Sequence, residues 1–296
     1  MSPRYRLSRR PNQRVRVLGV EMDLVKPEEV FHFAKAKVVA AERAIVANHN
    51  LHSLYLLKRH PAMQAFFRKA DLIEFDSLPL ILWARLIGRP SRPFHRCTYL
   101  DWRDQFWRTA VQNNWRVFFV GGAEGVAEAA RAKILEAWPG VRLEVHHGYF
   151  DAAPNSRDNR KLIDQIHAFK ANVILVGMGM PLQESWVNDN YDALPASVVF
   201  TVGGAFDYEA GTQVPCPRWI GRLGMEWMFR LLANPRRLLV RYCIEPWSLV
   251  APAMHDLHSA VAGRLGVRQA DRHGRTTDQR RDDAAIAAGE LTGLSQ

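Results

Sequence analysis

Short apolar runs alternate with amphipathic stretches along most of the chain. Seven runs rich in β-branched and aromatic residues have the length of buried strands: 15–20, 44–47, 72–75, 117–120, 143–146, 173–176 and 198–202. Helical periodicity fills most of the intervals, at 27–41, 51–69, 78–87, 101–113, 124–137, 157–170 and 181–191. This alternation predicts an α/β fold: a Rossmann-like, mainly parallel sheet with helices on both faces. Sheets of that kind bind ligands beyond the carboxyl ends of their strands, so chemistry is sought where each strand ends.

The pattern changes after residue 212. From Trp219 an amphipathic helix is expected, with Ile220, Leu223, Trp227 and Leu231 on one face and Arg218 and Arg222 opposite. Arg230 flanks the apolar face, Pro235 ends the helix, and Arg236, Arg237 and Arg241 carry the basic character onward. Two readings stand for this segment. Either it rests in a membrane interface, as Trp-, Leu- and Arg-rich amphipathic helices do, or it packs its apolar face on the main domain. Four regions are therefore expected: a basic N-terminal extension (1–14), an α/β catalytic domain (15–212), a basic appendage (213–260) and a disordered, polar tail (261–296).

Charge sharpens this picture. The net charge of +10 on 296 residues points to an anionic partner: nucleic acid, an anionic membrane surface or a phosphorylated substrate. Three widely spaced cysteines form neither a disulfide framework nor a zinc pattern, which favours a reducing compartment. The basic N-terminus lacks the apolar run of a secretory signal, and no stretch approaches the roughly 20 apolar residues of a membrane span. His49 and His52, or His146 and His147, are not accompanied by Cys or carboxylate at ligand spacing, so no metal site is expected.

Four strand ends carry candidate chemistry. Strand 72–75 delivers Asp76, which is placed either for general-base work or for capping the following helix. Strand 117–120 runs into Gly121 and Gly122 before a helix, a phosphate-tolerant turn or a plain connection. Strand 173–176 leads into Gly177-Met178-Gly179-Met180-Pro181-Leu182-Gln183-Glu184-Ser185-Trp186, which puts Gln183 and Glu184 near a helix N-terminus at the sheet's mouth. Strand 198–202 ends in Gly203-Gly204-Ala205-Phe206-Asp207 and offers a second carboxylate.

These motifs, in this order, resemble the WecG/TagA/CpsF glycosyltransferases, also called glycosyltransferase family 26. The likeness runs from Val15 to Trp247 and includes Asn48-x-Asn50, Asp71-Leu72…Asp76, Arg96…Asp101, Phe118–Gly122, Gly148-Tyr149-Phe150, the two strings at Gly177 and Val202, and Glu226-Trp227-x-x-Arg230…Pro235-Arg236-Arg237. The resemblance implies an inverting transferase that needs neither metal nor cofactor. It implies a UDP-sugar donor, a polyprenyl-diphosphate-linked acceptor, and a peripheral position on the cytoplasmic face of the plasma membrane. Asp76 falls on the family's base, Gln183 on its donor-site glutamine and Arg96 on its site arginine. Asn48, Asn50, Gly121, Gly122, Tyr149, Glu184 and Asp207 are the further substrate-binding candidates. Arg218, Arg222, Trp227, Arg230, Arg236 and Arg237 are the membrane-contacting ones. The chain departs from the family's pattern at Asn48, Ser77, Tyr99 and Pro215. Its Asn48–Tyr55 string is similar to the exopolysaccharide branch, which implies glucose as the transferred sugar.

Two other classes follow from the residues alone. A parallel sheet with a Gly-Gly turn suits a nucleotide-dependent oxidoreductase, although a full dinucleotide fingerprint is missing. The positive charge suits a nucleic-acid-binding protein, although no recognisable module is present and no nucleic-acid partner is expected. The oligomeric state, a homo-oligomer included, is left open.

Overall fold

The computed structural model describes residues 14–217, 220 and 225–262, apart from the side chains of Glu226 and Arg237. The chain divides into two compact units, one ending at Val250 and one beginning at Ala251. The described part of the second unit is helical to residue 262.

The first unit is built on six parallel strands: β3 (Ala44–His49), β4 (Leu72–Phe75), β5 (Arg116–Gly121), β6 (Arg142–His146), β7 (Val173–Gly177) and β8 (Val198–Thr201). They lie in the order β4-β3-β8-β7-β5-β6, all parallel. The expected Rossmann-like α/β fold is present.

Burial on both sides explains why the strands read as continuous apolar runs. Alternate residues (Val46, Val117, Phe119, Leu175, Phe200) point into one buried cluster. That cluster is shared with helices α1 (Pro27–Val39), α5 (Tyr99–Gln112), α6 (Val126–Ala137) and α9 (Ala205–Ala210). Phe119 and Phe206 stack at 3.5 Å inside it, and Trp102 and Phe106 pack edge-on or tilted around Phe31. Each such side chain contributes roughly 2–3 kcal/mol by leaving water. The other face is covered by α2 (Leu51–Leu57), α3 (Pro61–Lys69), α7 (Arg157–Phe169) and α8 (Leu182–Asn190).

Two local differences from the sequence reading have plain causes. Residues 15–20 form not one strand but parts of an antiparallel hairpin, β1 (Arg14–Val17) and β2 (Val20–Asp23). Leu18 and Gly19 turn it with φ of 51° and 84°. Buried Asp23 fixes the hairpin: it accepts two bonds from Arg14, at 2.9 and 2.8 Å, and one from Ile73 N–H at 2.8 Å. That last bond tethers the hairpin to β4, an edge strand. The long helix expected over 51–69 is two helices, because Pro61 lacks an N–H and opens a new one.

After α9 come α10 (Glu226–Ala233), α11 (Pro235–Leu239), a π-helical turn (Val240–Ile244) and a 3-10 turn (Glu245–Leu249). Pro235 breaks the path as expected. Arg218 and Arg222 lie outside the described residues.

Candidate active site

A cavity of about 930 Å³ opens at the carboxyl ends of β3, β4, β7 and β8. Its volume is that of a small-molecule site. The C-terminal segment supplies further lining through Arg230, Arg241, Tyr242 and Glu245.

Asp76 directly follows β4, and its backbone N–H donates to His49 O at 2.9 Å. The helix after it, α4 (Leu78–Leu86), takes Ser77 as N-cap, so Asp76 does not serve as the cap. Asn50 caps α2. Its Oδ1 accepts from Ser53 N–H at 3.0 Å, which directs Nδ2 outward to donate to Asp76 Oδ2 at 3.1 Å. Ser53 in turn accepts from Asn50 N–H at 3.0 Å and contacts His49 Nδ1 at 2.8 Å. Burial lowers the His49 pKa to about 3, so this histidine is a neutral support, stacked on Phe67 at 3.9 Å. The Asp76 carboxylate is thus oriented by a capping network that the local sequence Asn50-Leu51-His52-Ser53 creates.

Three arginines line the same cavity. Arg96 is carried beside Phe75 by an isolated bridge, and its guanidinium pairs with Asp101 at 2.8 Å while lining the cavity. Arg241 sits where burial lowers its pKa and the Asp76 charge opposes that shift. Arg230 also lines the cavity, 5.8 Å from the ring of Tyr208. His52 meets Glu245 at 2.5 Å, tying the C-terminal turns to α2 at the rim.

On the opposite side Gln183 is wholly buried, accepting from Gly203 N–H at 3.1 Å and donating to Glu184 at 2.7 Å. Glu184 lies behind it, outside the lining, and burial raises its pKa to about 7. Asn48 donates to Thr201 O at 2.6 Å; both residues line the cavity, as does Asp207.

The structure therefore brings together Asp76, Asn48, Asn50, Arg96, Gln183 and Asp207. Gly121 and Gly122 lie outside the lining, and close strand packing accounts for Gly121. A Cβ added there would fall 2.4 Å from Gly177 O, and one at Gly177 would fall 2.5 Å from Gly203 O. Tyr149 is 77% exposed and also outside the lining. Of the membrane-contacting candidates, Trp227 and Arg236 are exposed, while Arg230 is half-buried on the cavity. Glu74, Thr201 and Arg241 were not singled out as site residues. An acidic residue inside the apolar run Leu72–Phe75 was the available signal for Glu74. Among the described residues no group of three or more His, Cys, Asp or Glu side chains is disposed to hold a metal ion.

Fold and site together define an α/β protein of the Rossmann-like class, with an oriented carboxylate in a cleft that three arginines also line, at the sheet's carboxyl edge. Residues 15–260 match the glycosyl transferase WecG/TagA/CpsF family, and the chain belongs to it. It is a glycosyltransferase. Curated relatives include the N-acetylglucosaminyldiphosphoundecaprenol N-acetyl-β-D-mannosaminyltransferases of Staphylococcus aureus strains NCTC 8325, COL and N315. Each is 25% identical over 235 residues, covering 76% of this chain and 87% of the relative.

Proposed function

We propose that this protein moves a hexosyl group from a UDP-sugar to a polyprenyl-diphosphate-linked saccharide, with inversion at the anomeric carbon. The activity of these relatives supports an undecaprenyl-diphosphate-linked N-acetylglucosamine as acceptor. Their transferred sugar is N-acetylmannosamine, so the glucose implied by the Asn48–Tyr55 string has no support from them.

The observation that carries the reading is the Asp76 carboxylate, directed by Asn50 and standing in the cavity. The reaction is a single displacement. The acceptor hydroxyl oxygen bonds to the anomeric carbon as the bond from that carbon to the β-phosphate oxygen of UDP breaks. The hydroxyl proton passes to Asp76. Proton transfer of this kind contributes roughly 10²–10⁴-fold. Negative charge grows on the leaving diphosphate, and guanidinium groups in a cavity of restricted solvent compensate it most effectively. Arg241 and Arg230 suit this role. Arg96, which also lines the cavity and pairs with Asp101, belongs to the same set.

The acceptor's lipid chain calls for a membrane surface. Exposed Leu239, Val240, Ile244 and Trp247 follow one another close to the cavity's C-terminal wall, beside the basic Arg236. Such a mixed apolar and basic surface suits the interface of an anionic membrane. No helix among the described residues is long and apolar enough to cross one.

A donor screen tests the reading. Purified protein is incubated with undecaprenyl-diphosphate-N-acetylglucosamine and UDP-glucose, UDP-N-acetylglucosamine or UDP-N-acetylmannosamine, with and without chelator. Transfer from one donor, unchanged by chelator and giving a β-linked product from an α-linked donor, is expected. Absence of transfer from every donor would overturn the proposal.

A further inference from the structure

The floor of the cavity holds a second carboxyl group that the mechanism above does not use. Glu74 is on β4, two residues before Asp76, and so on the same side of the strand. It lines the cavity and is only 3% exposed. Its Oε1 has no hydrogen-bond partner. A buried polar atom without a partner costs about 1–3 kcal/mol, and a ligand hydroxyl reaching Oε1 would offset that cost.

Resting on the proposed function, we infer that Glu74 is a sugar-recognising residue of this cleft, whose carboxyl hydrogen-bonds a hydroxyl of the donor's hexose. Depth selects the donor. Two residues of strand place Glu74 about 6–7 Å further in than Asp76. A lipid-linked acceptor is held at the mouth by its membrane anchor, whereas a soluble nucleotide sugar reaches the floor. The terminal torsion of a glutamate is soft and roughly two-fold, so the carboxyl turns readily to present either oxygen.

The surroundings decide which hydrogen-bonding role it plays. Burial first, and then the Asp76 and Asp23 charges, raise the Glu74 pKa well above the usual carboxylate range; the Cys97 thiol opposes this by hydrogen bonding. These shifts favour the protonated form, which offers an O–H donor beside a carbonyl acceptor. A hydroxyl, which is also both donor and acceptor, complements it on both counts. Sites that hydrogen-bond a sugar hydroxyl reject analogues lacking it far more strongly than apolar pockets reject a missing methylene.

The test compares UDP with UDP-sugars in calorimetric titrations of the full chain, using UDP-glucose, UDP-N-acetylglucosamine and UDP-N-acetylmannosamine. Glu74→Met removes the hydrogen bond at similar size. It is expected to leave the Kd for UDP unchanged and to raise the Kd for the preferred UDP-sugar on the order of tenfold to a hundredfold. Glu74→Gln keeps one donor and one acceptor and should stay within about threefold of the unaltered protein. Deoxy analogues identify the hydroxyl: one of them should bind the unaltered protein and Glu74→Met equally weakly. If Glu74→Met weakens UDP and UDP-sugar alike, the residue is structural and the inference fails. It fails too if Glu74→Met binds UDP-sugar normally, or if only the acceptor's KM rises in a transfer assay. Failure of every UDP-sugar to bind the unaltered protein removes the proposed function and this inference together.

Discussion

The smallest details of the site are matters of which atom is already occupied. Asn50 reaches Asp76 with its amide nitrogen because its oxygen is committed to capping α2. Gln183 is committed in the same way to Gly203 and Glu184, and is held still before any ligand arrives. Glu184 contributes to that rigidity at a pH-dependent cost. Its pKa is about 7 in the folded chain against 4.5 as the ordinary value, so the folded state holds a proton that the unfolded state has released. Stability therefore falls as pH rises from about 4.5 to about 7, by up to about 3 kcal/mol, and is level above that. Glu184→Gln lacks the titration. Chemical denaturation near pH 5 and pH 8 should show the variant gaining on the unaltered protein at the higher pH. Parallel changes in the two would show that Glu184 does not titrate as described.

Among elements, the sheet was legible because burial on both faces writes long apolar runs, and each of the six strands of the parallel sheet coincides with one of them. What escaped notice was local punctuation. Leu18-Gly19 turns a hairpin without an Asn-Gly signature, and Pro61 opens a new helix inside a continuous helical pattern. Glycines at strand ends were equally ambiguous, since close backbone packing and ligand approach ask for the same residue. Only the spatial order separates them: Gly121 packs on Gly177 and Gly177 on Gly203, whereas Gly179, Gly203 and Gly204 border the cavity. The difference is measurable. In Gly177→Ala the new methyl would meet Gly203 O at 2.5 Å and Phe119 at 2.7 Å, so a loss of about 3 kcal/mol or more is expected. Gly179→Ala meets nothing within 4 Å and carries only the strain of φ +81°, about 1–2 kcal/mol. Thermal unfolding of the two variants should rank them in that order; equal losses would contradict the packing account.

At the scale of the whole molecule, the site joins residues far apart in sequence. Asn48, Asp76 and Thr201 come from strand ends, Gln183 from the first turn of α8, and Arg230 and Arg241 from the C-terminal segment. The strand-end residues could be found by following each run to its end, apart from Thr201, one residue short of the expected end of its run; Glu74, inside its run, could not be found that way. Arg241 was hidden among basic neighbours, because sequence cannot distinguish an arginine turned toward a carboxylate from one turned toward solvent. The exposed row ending at Trp247 belongs to the same scale. Trp247→Glu should weaken sedimentation with vesicles containing anionic lipid several-fold without altering thermal stability, and unchanged sedimentation would remove that row from the proposed membrane contact. The central claim is the role of Asp76, and one paired measurement addresses it most directly: UDP-sugar binding and sugar transfer, side by side, for Asp76→Asn. The account predicts a donor Kd close to that of the unaltered protein with transfer reduced roughly 10²–10⁴-fold or more. Transfer at the unaltered rate would contradict it.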